Sequence, residues 1–130
     1  MFSHVMIGAD DVEKAKSFYD KVLGALGIPP GNLETTPDGR RRAFYLTPTG
    51  VFILSQPLDH KPTTNGNGST LGFTASSPEQ VKAWQDTGVA AGGTAIEDPP
   101  GVREAPVGKF YLAYLRDLDG NKICALHRMS

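Results

Sequence analysis

A single cysteine, Cys124, serves the whole chain, which excludes an internal disulfide and any Cys-x-x-Cys zinc site and fits a reducing, cytoplasmic setting. No window approaches the ~18 consecutive apolar residues of a membrane span, and Met1-Phe2-Ser3-His4 runs straight into a strand-like segment with no cationic leader pattern. The expectation is a soluble, unexported protein. A formal net charge of -1 leaves no basic field for nucleic acid or an anionic membrane. The cationic run Arg40-Arg41-Arg42 adjoins the turn residues Pro37-Asp38-Gly39 and reads as a solvated loop edge. The histidines His4, His60 and His127 are too scattered to form a local ligand motif. Gly66-Asn67-Gly68 precedes a strand rather than opening a helix, so it is no phosphate cradle. No serine or cysteine has a recognisable base beside it.

What is present is regular patterning over 130 residues, enough for one domain or two halves sharing a core. His4 to Ala9 is a short apolar run suited to a buried strand, and Asp10 with Glu13 three residues later reads as a helix cap. Val12, Ala15, Tyr19, Val22, Leu23 and Leu26 then recur at three- and four-residue spacing on one helix face. Gly27 and Pro29-Pro30 end the helix. A loop with a possible short strand at Leu33 to Thr35 follows. Arg42 to Leu46 and Val51 to Gln56 make a hairpin through Thr47-Pro48-Thr49-Gly50.

After a Pro- and Gly-rich linker at 58–68 the pattern restarts at an offset of 66. His4 to Ala9 corresponds to Thr70 to Ala75, Asp10 and Glu13 to Ser76 and Glu79, Phe18 to Trp84, and Phe44-Tyr45-Leu46 to Phe110-Tyr111-Leu112. Module 1 is expected over 1–57 and module 2 over 69–130, each too small for comfortable stability alone. Ala95 to Gly108, with Pro99-Pro100-Gly101 and Pro106, reads as a long connection over one mouth of a site, carrying Arg103. Phe110 to Leu126 reads as a second hairpin, turning at Asp117-Leu118-Asp119-Gly120-Asn121. That cluster is a turn rather than a calcium loop, because Leu115 and Leu126 fall at the outer ligand places.

Strand alternation puts Val5, Ile7, Ala9 and Leu71, Phe73, Ala75 under the helices. His4, Met6, Gly8 and Thr70, Gly72, Thr74 are left for the opposite face. A hairpin closed through Asp117 to Asn121 pairs Tyr114 with Cys124 on that same side.

A duplicated strand–helix–three-strand module, a first strand beginning at His4 and the carboxy-terminal Asp-x-Asp-Gly-Asn hairpin together resemble the vicinal oxygen chelate superfamily of glyoxalase I, bleomycin-resistance proteins, fosfomycin-resistance enzymes and extradiol dioxygenases. The resemblance implies an α+β fold of two tandem βαβββ modules forming a curved mixed sheet around a cleft. It maps the metal-ligand positions of that family onto His4, Leu54, Thr70 and Cys124, with Gly50 and Gly120 anchoring the two hairpins. Glyoxalase-type chemistry wants His or Gln at the strand starts and Glu at the strand ends. Only His4 qualifies here, so no metal or other cofactor is assured, and a divalent metal stays open with most of its expected ligands missing.

The expected function is binding of a small organic molecule in the cleft, by His4, Leu54, Thr70, Tyr114, Cys124 and Arg103. No residue is assigned a catalytic role. The alternatives are a metal-dependent lyase, isomerase or dioxygenase using His4, and a non-catalytic interaction module. The resemblance also implies a homodimer, closed or with exchanged modules.

Overall fold

A computed structural model describes residues 1–129. The first module is β1 (His4–Gly8), α1 (Val12–Gly24), β2 (Asn32–Thr35), β3 (Arg41–Thr47) and β4 (Gly50–Ser55). The second repeats it as β5 (Leu71–Thr74), α2 (Pro78–Ala90), β6 (Thr94–Ala105), β7 (Gly108–Arg116) and β8 (Lys122–Arg128). Each module folds into a four-stranded mixed sheet, ordered β1-β4-β3-β2 and β5-β8-β7-β6, with the first strand parallel to the last. The curved sheet expected from the repeat is thus built as two sheets, with β1 and β5 each forming an edge.

Both helices span 13 residues, and their bounds differ by the same offset of 66, from Val12 to Pro78 and from Gly24 to Ala90. The caps lie one residue beyond the expected ones: Asp11 accepts from the Lys14 amide and Ser77 from the Gln80 amide. Asp10 is used elsewhere. Its carboxylate accepts from the Thr63 amide of the linker, and its own amide donates to Asp119.

The offset does not persist into the third and fourth strands. Phe44 pairs with Ile53, and Ile53 with Met6; Tyr114 pairs with Cys124, and Cys124 with Gly72. Phe44 therefore corresponds to Tyr114, not to Phe110. One cause is an irregularity between Ile96 and Gly101, where β6 departs from its ladder with β7 and sets residues 97–100 opposite Ala113 alone. Ala95 to Gly108 is accordingly no loop. It is most of β6 and the two-residue turn into β7. Pro99 and Pro100 are tolerated because β6 is an edge strand and they fall where the ladder is broken.

The helix-facing sides of both sheets close on one core. Ala9, Val12, Tyr19, Val22, Leu54, Val81, Trp84, Leu115 and Ile123 are essentially inaccessible, and Ile7, Leu71 and Phe73 pack against them. Burial of each large side chain contributes about 1.5–3 kcal/mol, and neither module alone could supply this interior. Aromatic rings cross the module boundary: Phe52 meets Phe73 edge-on at 5.2 Å, and the Tyr19 ring lies 6.5 Å from that of Phe73. The expected alternation of β1 and β5 holds, and it leaves one face of each sheet without a helical cover.

The Asp117–Asn121 turn fastens the modules together. Asp117 Oδ1 accepts from the Asp119 and Asn121 amides, which shapes the turn. Its Oδ2 accepts from Asn121 Nδ2 and from the Tyr19 phenol at 2.6 Å. Asn121 Nδ2 also donates to the Gly8 carbonyl at the end of β1. Gly120, at φ 85°, supplies the left-handed step that the turn requires.

Candidate functional site

Register decides which side chains reach the uncovered faces. On the first sheet these are His4, Met6 and Gly8 of β1, Val51, Ile53 and Ser55 of β4, and Arg42, Phe44 and Leu46 of β3. Met6 remains 44% exposed and Leu46 63% exposed. Among the described residues the acid–base pair on this side is Arg42 with Glu34, closed at 2.7 Å, with the guanidinium 5.0 Å over the Phe44 ring. Leu54 does not belong to this face. It pairs with Ile7 and Ala43 and is fully buried in the core, so Ile53 takes the position that the resemblance assigned to Leu54.

The inward placement of Leu54 has a local cause. Gly50 is the first residue of β4 and pairs with Thr47, whereas Gly120 lies inside a turn that ends only at Lys122. The glycines are not equivalent. A one-residue slip in register moves a side chain to the other face.

The second sheet carries Gly72 and Thr74 of β5, Lys122, Cys124 and Leu126 of β8, and Phe110, Leu112, Tyr114 and Arg116 of β7. Tyr114 and Cys124 are direct cross-strand partners, as their hairpin implied. Cys124 is only 4% exposed, and its sulfur is 3.9 Å from where a Cβ on Gly72 would stand. Burial, and then the Glu97 carboxylate, push its thiol up to about 11 against the opposing pull of Lys122. Burial, then Cys124 and Glu97, raise the Tyr114 phenol, while Lys122 and Arg103 act the other way. Both groups are therefore held protonated at neutral pH, as hydrogen-bond donors rather than nucleophiles.

Glu97 was not legible as a site residue. It comes from the irregular segment of β6 at φ 60°, a left-handed conformation unusual for a residue with a side chain. Its carboxylate forms an ion pair with Lys122, whose ammonium lies 4.7 Å from the centre of the Tyr114 ring. Arg103 shares this side through its pairing with Phe110, and its guanidinium donates to the backbone carbonyls of Asp98, Pro99 and Val102.

His4 lies apart from this group, and Thr70 meets it only at Lys122. His4 is exposed, its Nδ1 2.8 Å from the Ser3 hydroxyl, and it lines an apolar cavity of about 400 Å³ with Leu23, Leu26, Phe52 and Phe73. Thr70, also exposed, lines a cavity of about 380 Å³ with Met6, Gly8, Asn65, Asn121 and Lys122. His60 approaches Asp38 at 3.5 Å, and His127 Nδ1 is 3.2 Å from the Ala75 carbonyl. The three arginines of the basic run are separately matched, Arg40 with Asp38, Arg41 with Glu13 and Arg42 with Glu34.

A divalent metal does not fit the residues at the family's ligand positions. His4 offers one imidazole, Ile53 none, Thr70 a neutral hydroxyl, and Cys124 a thiol that burial keeps protonated. Among the described residues no three His, Cys, Asp or Glu side chains converge as a metal-holding group.

Two βαβββ modules that each leave a sheet face open beside the other define the paired-module class of cleft proteins. Residues 1–125 match the profile of the Glyoxalase/Bleomycin resistance protein/Dioxygenase superfamily, and the chain belongs to that family. It is similar over 98% of its length to a glyoxalase/bleomycin resistance protein from Albidiferax ferrireducens T118, covering 99% of that chain at 57% identity with a TM-score of 0.92. A glyoxalase/bleomycin resistance protein/dioxygenase family enzyme from Burkholderia phytofirmans PsJN shares the fold at 21% identity, with 98% of each chain covered and a TM-score of 0.71. Lactoylglutathione lyase from Agrobacterium tumefaciens shares it at 19% identity and a TM-score of 0.64, over 98% of this chain and 92% of that one. Comparison with curated proteins gives no match.

Proposed function

We propose that this protein binds a small organic molecule on the open faces of its two sheets and works without the family's metal. The observation that carries the reading is the second sheet's uncovered face. There the half-buried Tyr114 and Leu126 adjoin Leu112 and Cys124, 5% and 4% exposed, and the phenol and thiol are both kept protonated in place of a metal-ligating carboxylate. Such a surface offers contact area and a few directed polar groups, which is what a ligand site needs. Tyr114, Cys124 and Arg103 are the second module's contribution, His4 and Ile53 the first module's, and Thr70 stands beside Lys122 at the boundary.

A second copy of the chain completes the cleft in this reading. In support, β1 and β5 both end their sheets as edges, and Met6 and Leu46 are left exposed on an uncovered face. Sedimentation analysis tests this directly, a dimer being expected. The single unpaired thiol is in keeping with a cytoplasmic protein.

Isothermal titration and thermal-shift screening against a panel of neutral, cationic and anionic aromatic compounds tests the binding. Stabilisation by at least one chemical class is expected, with the effect lost in Tyr114→Ala. A silent panel together with stoichiometric bound metal would overturn the reading.

A further inference from the structure

The charge on the two open faces is unequal. On the first sheet Arg42 is neutralised by Glu34. On the second, the regular strand positions bring Arg103, Arg116, Lys122 and Arg128 to one side and no carboxylate at all. This concentration of positive charge occurs in a chain whose net charge is -1. Two of the cations lie over aromatic rings of the same face, Lys122 over Tyr114 and Arg128 over Phe110 at 5.4 Å. The Arg103 and Arg116 side chains find only backbone carbonyls as hydrogen-bond acceptors among the described residues.

One carboxylate does reach this group, and it arrives by an unusual route. Glu97 extends from the extra residues of β6, which the first module lacks, with its backbone in the left-handed region. Its side chain is 45% exposed, so the ion pair with Lys122 is open to solvent and to competition. A strained residue that places a solitary carboxylate on a half-buried lysine, beside an aromatic ring and an apolar floor, imitates what a ligand would place there.

We infer that the open face of the second sheet recognises an organic anion, a carboxylate borne on an aromatic or apolar body, with Lys122 as its seat and Glu97 as the internal group that it displaces. This rests on the small-molecule reading above and names its ligand class. The body of the ligand lies on Leu126 and Tyr114; the carboxylate exchanges for that of Glu97 on Lys122, and Arg103 adds a second positive charge. Proton and covalent chemistry are not required.

The test compares naphthalene-2-carboxylate with naphthalene-2-carboxamide, isosteric and differing in charge, by calorimetry and by NMR shifts at Tyr114 and Cys124. The carboxylate is expected to bind about tenfold or more tightly than the amide, a gap typical of one charge-assisted contact. Lys122→Met should remove most of the carboxylate's advantage over the amide, Arg103 keeping the remainder. Glu97→Gln, which removes the competitor with little change of shape, should tighten the carboxylate and leave the amide unchanged.

Equal binding of both probes would overturn the anion and leave the small-molecule reading standing. So would a Glu97→Gln variant that binds the carboxylate more weakly. Silence of both probes also overturns the anion, whereas the broader reading falls only if the neutral and cationic compounds are silent too.

Discussion

Tyr19, on the first helix, donates a 2.6 Å hydrogen bond to Asp117, 98 residues away in the last hairpin turn, and both side chains are buried. Burial, and then the carboxylate itself, hold the phenol well above its ordinary range, so it remains a donor at any physiological pH. Tyr19→Phe leaves Asp117 with its turn contacts but one fewer inter-module bond. It is expected to cost about 1–3 kcal/mol in urea unfolding. Asp117→Ala removes the turn and the inter-module bond together and should cost more, with a single cooperative transition in both variants because the modules share one core.

Gly88 on α2 packs where the helices of the two modules meet. A Cβ there would stand 2.3 Å from Leu115 and 3.2 Å from Val22, both fully buried. Alanine improves helix propensity by about 1 kcal/mol, but overpacking a closed interior costs about 1–3 kcal/mol. Gly88→Ala should therefore lower the melting temperature, and Leu115→Val in the same chain, which removes the nearest carbon, should restore part of the loss.

The buried thiol gives a pH signature. With its ionisation moved from the ordinary 9.0 up to about 11, Cys124 should react with a disulfide reagent about tenfold more slowly at pH 8 than an unperturbed thiol, the scarcer thiolate being partly offset by its greater nucleophilicity, before its burial is counted. Because the folded protein holds this proton more tightly than the unfolded chain does, the contribution to stability is complete below about pH 9 and is lost as pH rises through about 11. Chemical unfolding at a series of alkaline pH values, compared between wild type and Cys124→Ala, reads the difference directly.

The donor set predicts indifference to metals. Added zinc, nickel or manganese should leave the melting temperature unchanged, and so should a chelator, in wild type and His4→Ala alike. Cys124→Glu together with Ile53→Glu restores the carboxylates of the family pattern on the proper faces. A metal-dependent rise in melting temperature is expected only in that double variant.

Much of the fold was legible because the repeated signals were local. Helix periodicity, the Asp-Gly turn and the alternation of β1 and β5 depend on a few neighbouring residues, and the helices recur at one offset in structure as in sequence. The Tyr114–Cys124 pair followed from a turn whose ends are marked by its own side chains. What was not legible depends on counting through irregular backbone. The extra residues 97–100 and the unequal hairpin turns carry no distinctive composition beyond Pro99-Pro100, yet they move the third and fourth strands out of the repeat. Leu54 was misplaced by one residue for that reason, and Glu97 was hidden because a bulge, not a strand position, presents it.

NMR titration of metal-free protein with the aromatic panel decides whether the open faces bind a small molecule. Saturable shifts confined to those faces are expected, strongest at Leu112, Tyr114, Cys124 and Leu126, with the core residues Leu54 and Trp84 unmoved. Binding there would be contradicted if no compound moved those signals while added divalent metal perturbed His4, Thr70 and Cys124 together.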